Sequence, residues 1–335
     1  MTNTIGWALI GASNVARQWV IDAIRAQPDS TVLNVLSSSE ERGASFAAEN
    51  GIPAHTTDLN TILADERVNA VYISTANQFH CRQTLAAAGA EKNVLCEKPV
   101  ALSVADARDM ITACHDAGVV LGVNHHLRCN AMHQKLRDLL HDGAIGRLNA
   151  VRVFHANFLP QALHGWRVND PDGGGLILDS TIHDIDTLRY LMGSNPTHVM
   201  AMTQSGRLAH DGVEDGIMVI LRFPGDVLVQ IHGAYTVPFS EGGMEFYGSE
   251  GVLIGRDCMS QRAAGRLFMR NAGGEKEIPV HHHNLYHYAL AAFSNAVRGT
   301  GQPAATGGDG LAALAIALAI RESARTGRQI EVEIP

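Results

Sequence analysis

The stretch Asn93-Val94-Leu95-Cys96-Glu97-Lys98-Pro99-Val100 decides the fold expected for this chain. Its apolar first half predicts a short buried strand. Pro99 fixes its own φ, lacks an N–H donor and favours an extended backbone at Lys98, so the strand ends sharply there. Lys98 therefore lies at the carboxyl end of a strand, where open α/β sheets bind ligands. Its ammonium group can donate a hydrogen bond to a carbonyl oxygen. Taken alone, the alternative is a surface lysine paired with Glu97.

Apolar runs alternate with helical patterns from the N-terminus to about residue 124. The first run, Ile5–Ile10, ends in the turn Gly11-Ala12-Ser13-Asn14-Val15-Ala16, a degenerate G-x-G-x-x-G/A fingerprint in which Ser13 replaces the second glycine. A helix that begins there offers free N–H groups and a positive dipole end to a pyrophosphate. An ordinary βα turn is the alternative. The alternation predicts a doubly wound parallel sheet, a Rossmann dinucleotide-binding domain of residues 1–123.

The end of the second predicted strand, at residues 31–36, bears on which dinucleotide binds. An NAD-preferring site usually places an acid there for the ribose 2′-hydroxyl. Here the chain has Ser37 and Ser38, with Arg42 about one helical turn beyond. A hydroxyl and a guanidinium suit a 2′-phosphate, because charge-assisted hydrogen bonds to phosphate are strong. NADPH or NADP is therefore expected, and NAD is the less favoured cofactor. The alternative is that Arg42 pairs with Glu40 or Glu41 on a solvated helix face.

After residue 124 the pattern changes to helices and closely spaced short strands. Strands are predicted at 148–156, 199–203, 216–223, 227–234, 244–248, 251–254 and 329–334. Turn signals such as Pro224-Gly225-Asp226 separate them, which indicates hairpins and a large open, mainly antiparallel sheet. Residues 124–335 are thus predicted to form a substrate-binding and catalytic α/β domain. The pattern leaves open whether the last helices pack back on the first domain.

The stretch Gly173-Gly174-Gly175-Leu176-Ile177-Leu178-Asp179-Ser180-Thr181-Ile182-His183-Asp184-Ile185-Asp186 is the second informative one. On a helix, Asp179 and His183 share a face, as do His183 and Asp186. Histidine can donate or accept a proton near neutral pH, and a carboxylate can orient it or bind a sugar hydroxyl. The alternatives are a satisfied histidine on a polar face or a metal site. Neighbouring helical positions alone are weak support for metal ligands, so no metal is predicted.

Composition restricts the compartment and the partners. Lys+Arg 26 against Asp+Glu 34 gives a net charge of -8 without a basic stripe, so neither nucleic acid nor an anionic membrane is an expected partner.

Five scattered cysteines without a C-x-x-C pair favour a reducing compartment. The chain starts without a signal-like run, and the most apolar stretch, 311–320, is too short to span a bilayer. A soluble cytoplasmic protein is expected, as a monomer or a homo-oligomer. The three histidines at 281–283 are expected in a solvated loop.

With these motifs placed, the chain resembles the glucose–fructose oxidoreductase / inositol dehydrogenase (Gfo/Idh/MocA) family over essentially its whole length. Glu97-Lys98-Pro99 and the stretch at 173–186 are the specific motifs. Further segments resemble the members that reduce 1,5-anhydro-D-fructose. These are Ile10-Gly11-Ala12-Ser13, Ser37 with Glu41-Arg42-Gly43, Asn124-His125-His126-Leu127-Arg128, Gly165-Trp166-Arg167 and Val213-Glu214-Asp215-Gly216. Ser13 and Thr181 stand where the family usually has glycine, and those members share both departures.

The resemblance implies NADPH-dependent reduction of a keto-sugar, with 1,5-anhydro-D-fructose reduced at C2 to 1,5-anhydro-D-mannitol. Lys98 would contact the carbonyl, His183 would protonate its oxygen as hydride arrives, and Asp179 would bind a substrate hydroxyl. The expected cofactor-binding residues are Gly11, Ala12, Ser13, Asn14, Val15, Ser37, Ser38, Arg42, Thr75, Asn77, His80, Glu97, Lys98, Asn124, Trp166 and Arg167. The expected substrate contacts are Lys98, His126, Trp166, Asp179 and His183. The alternatives are an NAD(P)-dependent sugar or inositol dehydrogenase, a non-catalytic NADP-binding sensor and an NAD-dependent glycosidase on the same scaffold.

Overall fold

The computed structural model describes residues 4–335, which fold as two compact units. The first unit runs to His126 and also contains Tyr286–Leu311, and the second contains Leu127–Leu285 and Ala312–Pro335. The alternation of strands and helices predicted a boundary at residues 123/124 and left open whether the last helices pack back on the first domain.

The first unit is built on six parallel strands. They are β1 (Ile5–Ile10), β2 (Ser30–Leu36), β3 (His55–Thr56), β4 (Ala70–Ile73), β5 (Asn93–Cys96) and β6 (Leu121–Val123). Their order is β3-β2-β1-β4-β5-β6, and every pairing is parallel. This is the order of a dinucleotide-binding doubly wound sheet, so the predicted architecture is confirmed. β1 and β4 are buried at every position, as strands covered on both faces should be.

Helices follow most strands of this unit. They are α1 (Ile21–Arg25), α2 (Glu40–Asn50), α3 (Leu59–Leu63), α4 (His80–Gly89) and α5 (Val104–Asp116). A π-helical turn, Ala16–Val20, leads into α1, where the sequence predicts one regular helix. The side chains of Ser39 and Ser103 accept hydrogen bonds from the third N–H of α2 and α5, which fixes where these helices begin.

The segment Tyr286–Leu311 completes the first unit late in the sequence. The Phe293 ring lies 5.3 Å from the Trp7 ring, centroid to centroid. Thr306 forms an antiparallel bridge with Gly122 in β6, which is the last strand of the sheet. A Cβ atom on Gly122 would lie 2.9 Å from the Phe293 ring, so glycine allows this close packing. The segment therefore covers an edge that would otherwise expose unpaired backbone groups.

The second unit is built on nine strands. They are β7 (Leu148–Ala156), β8 (His198–Ser205), β9 (Glu214–Phe223), β10 (Val227–Ala234), β11 (Gly243–Gly248), β12 (Val252–Arg256), β13 (Arg266–Asn271), β14 (Gly274–Ile278) and β15 (Ile330–Glu331). Their order is β14-β13-β12-β11-β7-β10-β9-β8-β15, with β7 and β10 parallel and the other pairs antiparallel. The predicted mainly antiparallel sheet is confirmed. The hairpin of β13 and β14 was not predicted, because its edge strand is exposed and charged and lacks apolar alternation.

Besides short 3-10 turns, the following helical segments precede the C-terminal helices in this part of the chain. They are α6 (Ala131–His141), α7 (Trp166–Asn169), a π-helical turn (Ile177–Thr181) and α8 (Ile182–Met192). The C-terminal helices are α9 (Leu285–Val297) and α10 (Gly307–Thr326). Within residues 4–335, no helix combines the length and the apolar character needed to cross a membrane.

Candidate active site

The glycine turn of the first unit has a backbone that only glycine accommodates well. Gly11 has φ +115°, and a Cβ atom there would lie 3.0 Å from the carbonyl carbon and oxygen of Ser74. The hydroxyl of Ser13 accepts a hydrogen bond from the N–H of Ala16 (3.1 Å) and shares another with the Ser74 hydroxyl (2.8 Å). The serine that replaces the second glycine therefore caps the helical turn and links the ends of β1 and β4.

The guanidinium of Arg42 lies at this same turn. Its Nη2 donates to the carbonyl oxygen of Ala12 at 2.7 Å, whereas the Glu40 carboxylate lies 3.2 Å from His55. The alternative pairing of Arg42 with Glu40 or Glu41 is not found in the described part of the chain. Ser37, at the end of β2, is buried, and its hydroxyl has no hydrogen-bond partner among residues 4–335. A cationic group and an unsatisfied hydroxyl thus flank the turn.

Glu97 is fixed at the ends of two neighbouring strands. Its Oε1 accepts hydrogen bonds from the Tyr72 hydroxyl (2.5 Å) and from Nδ2 of Asn124 (2.6 Å). Burial raises the pKa of Glu97, and the bonds from Asn124 and Tyr72 and the charge of Lys98 oppose this effect. Lys98 follows directly and precedes a cis peptide bond to Pro99. Two predicted cofactor contacts, Glu97 and Asn124, are therefore brought together, with Lys98 beside them in the chain.

His80 connects the loop after β4 to the loop after β5. Its ring is fully buried, with Nδ1 2.8 Å from the Pro99 carbonyl oxygen and Nε2 3.2 Å from that of Thr75. Burial lowers the pKa of His80, although both carbonyl contacts favour the protonated ring. The Thr75 hydroxyl donates to Gln83 (2.6 Å), and Asn77 is buried in the turn before α4. These contacts give His80 and Thr75 a role in holding the backbone; their contact with a cofactor stays a prediction.

His126, a predicted substrate contact, belongs to an aromatic stack in the first unit. Its ring lies 5.2 Å from the Tyr286 ring, and Tyr286 lies 5.5 Å from Trp19, all nearly parallel. The stack connects three segments that are distant in sequence, so it stabilises the packing of the first unit.

In the second unit, Asp179 accepts two strong hydrogen bonds. Its Oδ2 lies 2.8 Å from Nε of Arg167 and 2.8 Å from the Tyr235 hydroxyl. The Arg167 guanidinium also lies over the Trp166 ring, 4.6 Å from its centroid. Burial and the charge of Asp179 raise the pKa of Tyr235 well above its usual range, so the phenol stays protonated and donates. Trp166 and Arg167 were expected at the cofactor, and the structure ties both to the predicted substrate ligand Asp179.

His183 is buried in the first turn of α8, and its neighbours are held by other residues. Oδ1 of Asp184 lies 2.7 Å from Nδ1 of His155; burial raises the pKa of Asp184, and His155 opposes the shift. Asp186 accepts two hydrogen bonds of 2.7 Å from the Arg128 guanidinium. The sequence pattern predicts one helix carrying Asp179, His183 and Asp186; in the structure Asp179 lies in a π-helical turn, and the α-helix begins at Ile182. Asp186 belongs to a buried ion pair with Arg128.

No group of three His, Cys, Asp or Glu side chains that could hold a metal ion is found within residues 4–335. Nε2 of His283 lies 2.9 Å from the Cys129 carbonyl oxygen, so this histidine contacts backbone. The five cysteines are free thiols.

Comparison with known proteins identifies the family of this chain. Residues 5–125 match the model of an oxidoreductase family with an NAD-binding Rossmann fold, and residues 133–254 match a GFO/IDH/MocA C-terminal domain. Over 328 residues, 98% of both chains, the sequence is 50% identical to 1,5-anhydro-D-fructose reductase of Ensifer adhaerens. The chain belongs to the Gfo/Idh/MocA family.

Other members of the Gfo/Idh/MocA family are more distant in sequence but alike in length. Myo-inositol 2-dehydrogenase of Thermotoga maritima is 26% identical, with 98% of this chain and 97% of that protein covered. The crystal structure of an aldose-aldose oxidoreductase from Caulobacter crescentus, complexed with glycerol, superposes with a TM-score of 0.89 at 27% identity, covering 98% and 100% of the two chains. The protein is thus an oxidoreductase with the family's fold over its whole described length.

The residues of the first unit fit the nicotinamide dinucleotide that the Gfo/Idh/MocA family uses. Gly11 leaves open the space that a Cβ atom would fill, Ser37 has an unsatisfied buried hydroxyl, and Arg42 holds a guanidinium beside Ala12. Binding of NAD(P) by this unit follows from the family match.

Sequence patterns did not single out Tyr72, His155 and Tyr235, which hold Glu97, Asp184 and Asp179. The signal for Tyr235 was its place directly after β10, since polar residues at strand ends often form ligand sites.

Proposed function

We propose that this protein is an NADPH-dependent reductase of a keto-sugar, and that it reduces 1,5-anhydro-D-fructose at C2 to 1,5-anhydro-D-mannitol. The main support for this proposal is the 50% sequence identity to the Ensifer enzyme over 98% of both chains. The segments that resemble that subfamily, including Ser13, Thr181 and Gly165-Trp166-Arg167, are spread over both units of this chain.

The proposed roles follow from the charge that develops during reduction. The bound dinucleotide supplies the hydride that adds to the carbonyl carbon. Negative charge then builds on the carbonyl oxygen, so a hydrogen bond from Lys98 to that oxygen lowers the barrier. His183 delivers the proton that converts the oxygen to a hydroxyl, a task suited to an imidazole near neutral pH. Asp179, whose Oδ2 is fixed by Arg167 and Tyr235, accepts a hydrogen bond from a hydroxyl of the sugar.

The preference for NADPH rests on the end of β2. No carboxylate occupies the place where NAD enzymes usually bind the ribose 2′-hydroxyl; Ser37 and Ser38 are there instead. The Arg42 guanidinium, held at the Ala12 carbonyl, supplies a cation for a 2′-phosphate.

The test is the decay of NADPH absorbance on mixing the protein with 1,5-anhydro-D-fructose, with NADH in parallel. Fast loss of NADPH with little loss of NADH supports reaction, substrate and cofactor together. Faster use of NADH contradicts the NADPH preference. If neither cofactor is consumed although NADPH binds, the substrate is wrong, and sugars and inositols are then assayed in the oxidative direction. Net oxidation of NADPH by a free ketose also excludes a sensor and a glycosidase that recycles its cofactor.

A further inference from the structure

Two adjacent carboxylates, Glu214 and Asp215, open strand β9, and the proposed reaction gives them no role. Successive side chains of a strand point to opposite faces, so the two carboxylates reach different parts of the second unit. Asp215 is fully buried, and Glu214 is mostly buried. Burying a carboxylate costs free energy unless it accepts hydrogen bonds, so the donors to each carboxylate indicate which part of the structure it holds.

Glu214 holds the start of the π-helical turn that carries Asp179. Its Oε1 accepts a hydrogen bond from the N–H of Ile177 at 3.0 Å, one of the N–H groups that a helical turn leaves without an internal partner. Gly175 makes room for this carboxylate, because a Cβ atom there would lie 2.3 Å from Oε1 and 2.6 Å from Cδ of Glu214. From α10, Arg321 donates to the Gly174 carbonyl oxygen at 3.3 Å. The third glycine of the motif is thus explained by Glu214.

Asp215 holds the loop that leads away from β8. Its Oδ2 accepts three backbone hydrogen bonds, from Arg207 (2.9 Å), Leu208 (2.7 Å) and Ala209 (3.0 Å). Three N–H groups on one carboxylate oxygen fix the loop firmly, because bonds to an ionised acceptor are strong. The next N–H in the loop, that of His210, donates to the Val168 carbonyl oxygen in α7 at 2.9 Å. The loop therefore supports the helix that carries Trp166 and Arg167.

A third contact leads to Tyr235. Its backbone N–H donates to the Asp215 carbonyl oxygen at 2.8 Å, and its hydroxyl donates to Asp179. The turn that carries Asp179 and the segments that carry both of its donors, Arg167 and Tyr235, thus all depend on two consecutive residues of β9.

We propose that Glu214 and Asp215 are positioning residues for substrate binding: Glu214 places the turn of Asp179, and Asp215 places its donors Arg167 and Tyr235. The proposal deepens the function above and rests on the role given there to Asp179. The segment Val213-Glu214-Asp215-Gly216 is one of those that resemble the members reducing 1,5-anhydro-D-fructose. A positioning role explains this similarity, although neither carboxylate takes part in the chemistry.

The test compares Glu214→Ala with Glu214→Gln, which keeps an oxygen acceptor for Ile177. At saturating NADPH, Glu214→Ala should raise KM for the keto-sugar about tenfold and change kcat by less than about threefold, since a lost hydroxyl contact weakens ground state and transition state alike. Glu214→Gln should stay within about twofold of the wild type. NADPH affinity, measured by fluorescence titration, should be unchanged in both. Asp226→Ala, an exposed carboxylate at the turn after β9, is the control.

Asp215→Ala tests the second part of the proposal and should also raise KM, because the loop that supports the helix of Arg167 loses its three hydrogen bonds to the carboxylate, although the main-chain bond to Tyr235 remains. If this variant fails to fold, the Glu214 pair still decides the proposal. A folded Glu214→Ala with wild-type KM overturns it, as does a Glu214→Gln that is impaired as much as Glu214→Ala. Crystal structures of both Glu214 variants give a readout without turnover: Asp179 should move away from Arg167 and Tyr235 only in Glu214→Ala, and an unmoved Asp179 overturns the proposal. A wild type without activity on the keto-sugar contradicts the substrate instead, and this structural readout still applies.

Discussion

Arg42 and His80 of the first unit are fixed through backbone groups, although side chains hold Glu97, whereas Asp179, Asp184 and Asp186 of the second unit are fixed through side chains. In the first unit, Arg42 and His80 contact main-chain carbonyl oxygens, and the Gly11 turn depends on a backbone conformation. In the second unit, carboxylates are paired with guanidinium, imidazole or phenol side chains, as in Arg167–Asp179–Tyr235, His155–Asp184 and Arg128–Asp186.

This difference affects how each unit responds to mutation. Backbone acceptors remain when a side chain is changed, so a substitution in the first unit mostly removes one contact. In the second unit, removing one partner leaves a buried carboxylate or cation without its counterpart, which costs much more than the lost bond. Single substitutions should therefore have local effects in the first unit and wider effects in the second.

The largest effect is expected for the two residues given roles in the reaction. His183→Ala and Lys98→Ala should each lower kcat by two to four orders of magnitude, the usual contribution of a positioned proton donor being about 10²–10⁴. NADPH affinity should change little, which a fluorescence titration can check. His282→Ala, an exposed histidine, is the control for losing an imidazole. Wild-type turnover in both variants contradicts the assignment.

Breaking the Arg128–Asp186 pair should cause the largest loss of stability. The two side chains are 9% and 1% exposed and form a bidentate pair, so Arg128→Met should lower the free energy of unfolding by about 3–5 kcal/mol. Arg325 and Glu322 form the same bidentate geometry at 70% and 45% exposure, and Arg325→Met should lower the stability far less, because water screens an exposed pair. Urea unfolding of both variants measures the contrast. Equal losses would show that burial does not decide the cost.

His133, in α6 of the second unit, should make stability depend on pH. Burial lowers the pKa of His133 to about 4, from 6.5, so the folded protein keeps the ring neutral where the unfolded chain takes up a proton. Its contribution is complete above pH 6.5 and is lost as the pH falls toward 4. Between pH 7 and 5 the wild type should lose about 2 kcal/mol more than His133→Gln. Unfolding curves at both pH values test this, with the exposed His115→Gln as the control.

The smallest effect is expected at the glycine turn of the first unit. Arg42→Ala should raise KM for NADPH about tenfold and change KM for NADH much less, because only NADPH has a 2′-phosphate. Arg25→Ala removes another exposed arginine that donates to backbone carbonyl oxygens, and it should leave both values unchanged. Equal changes for NADPH and NADH would show that Arg42 acts on the fold of the turn and not on the 2′-phosphate.

The difference between local backbone geometry and long-range side-chain pairs also explains which features could be predicted from the sequence. Gly11 and Lys98-Pro99 impose their backbone geometry locally, so the turn and the strand end were predictable. Apolar runs and turn signals predicted both sheets, except for the hairpin of β13 and β14, whose edge strand is exposed and charged. The hydrogen-bond donors to Asp179 and Asp186 lie 12 to 58 positions away in the sequence, so no local pattern could predict them. The π-helical turn at Ile177–Thr181 is held in part by Glu214, 37 residues later, so local spacing predicted a regular helix there and not this turn.

The late segment Tyr286–Leu311 has a consequence for biosynthesis. The ribosome makes the six strands of the first unit early, but Phe293 and Tyr286, which pack on Trp7 and Trp19, follow only after the larger segment of the second unit, Leu127–Leu285, has been translated. At usual rates of synthesis the interval between His126 and Leu311 lasts roughly 10–40 s. During this time Trp7 and the free edge of β6 lack their final cover, so the nascent chain offers an apolar surface to chaperones. A fragment that stops at His126 should for the same reason be insoluble or unfolded.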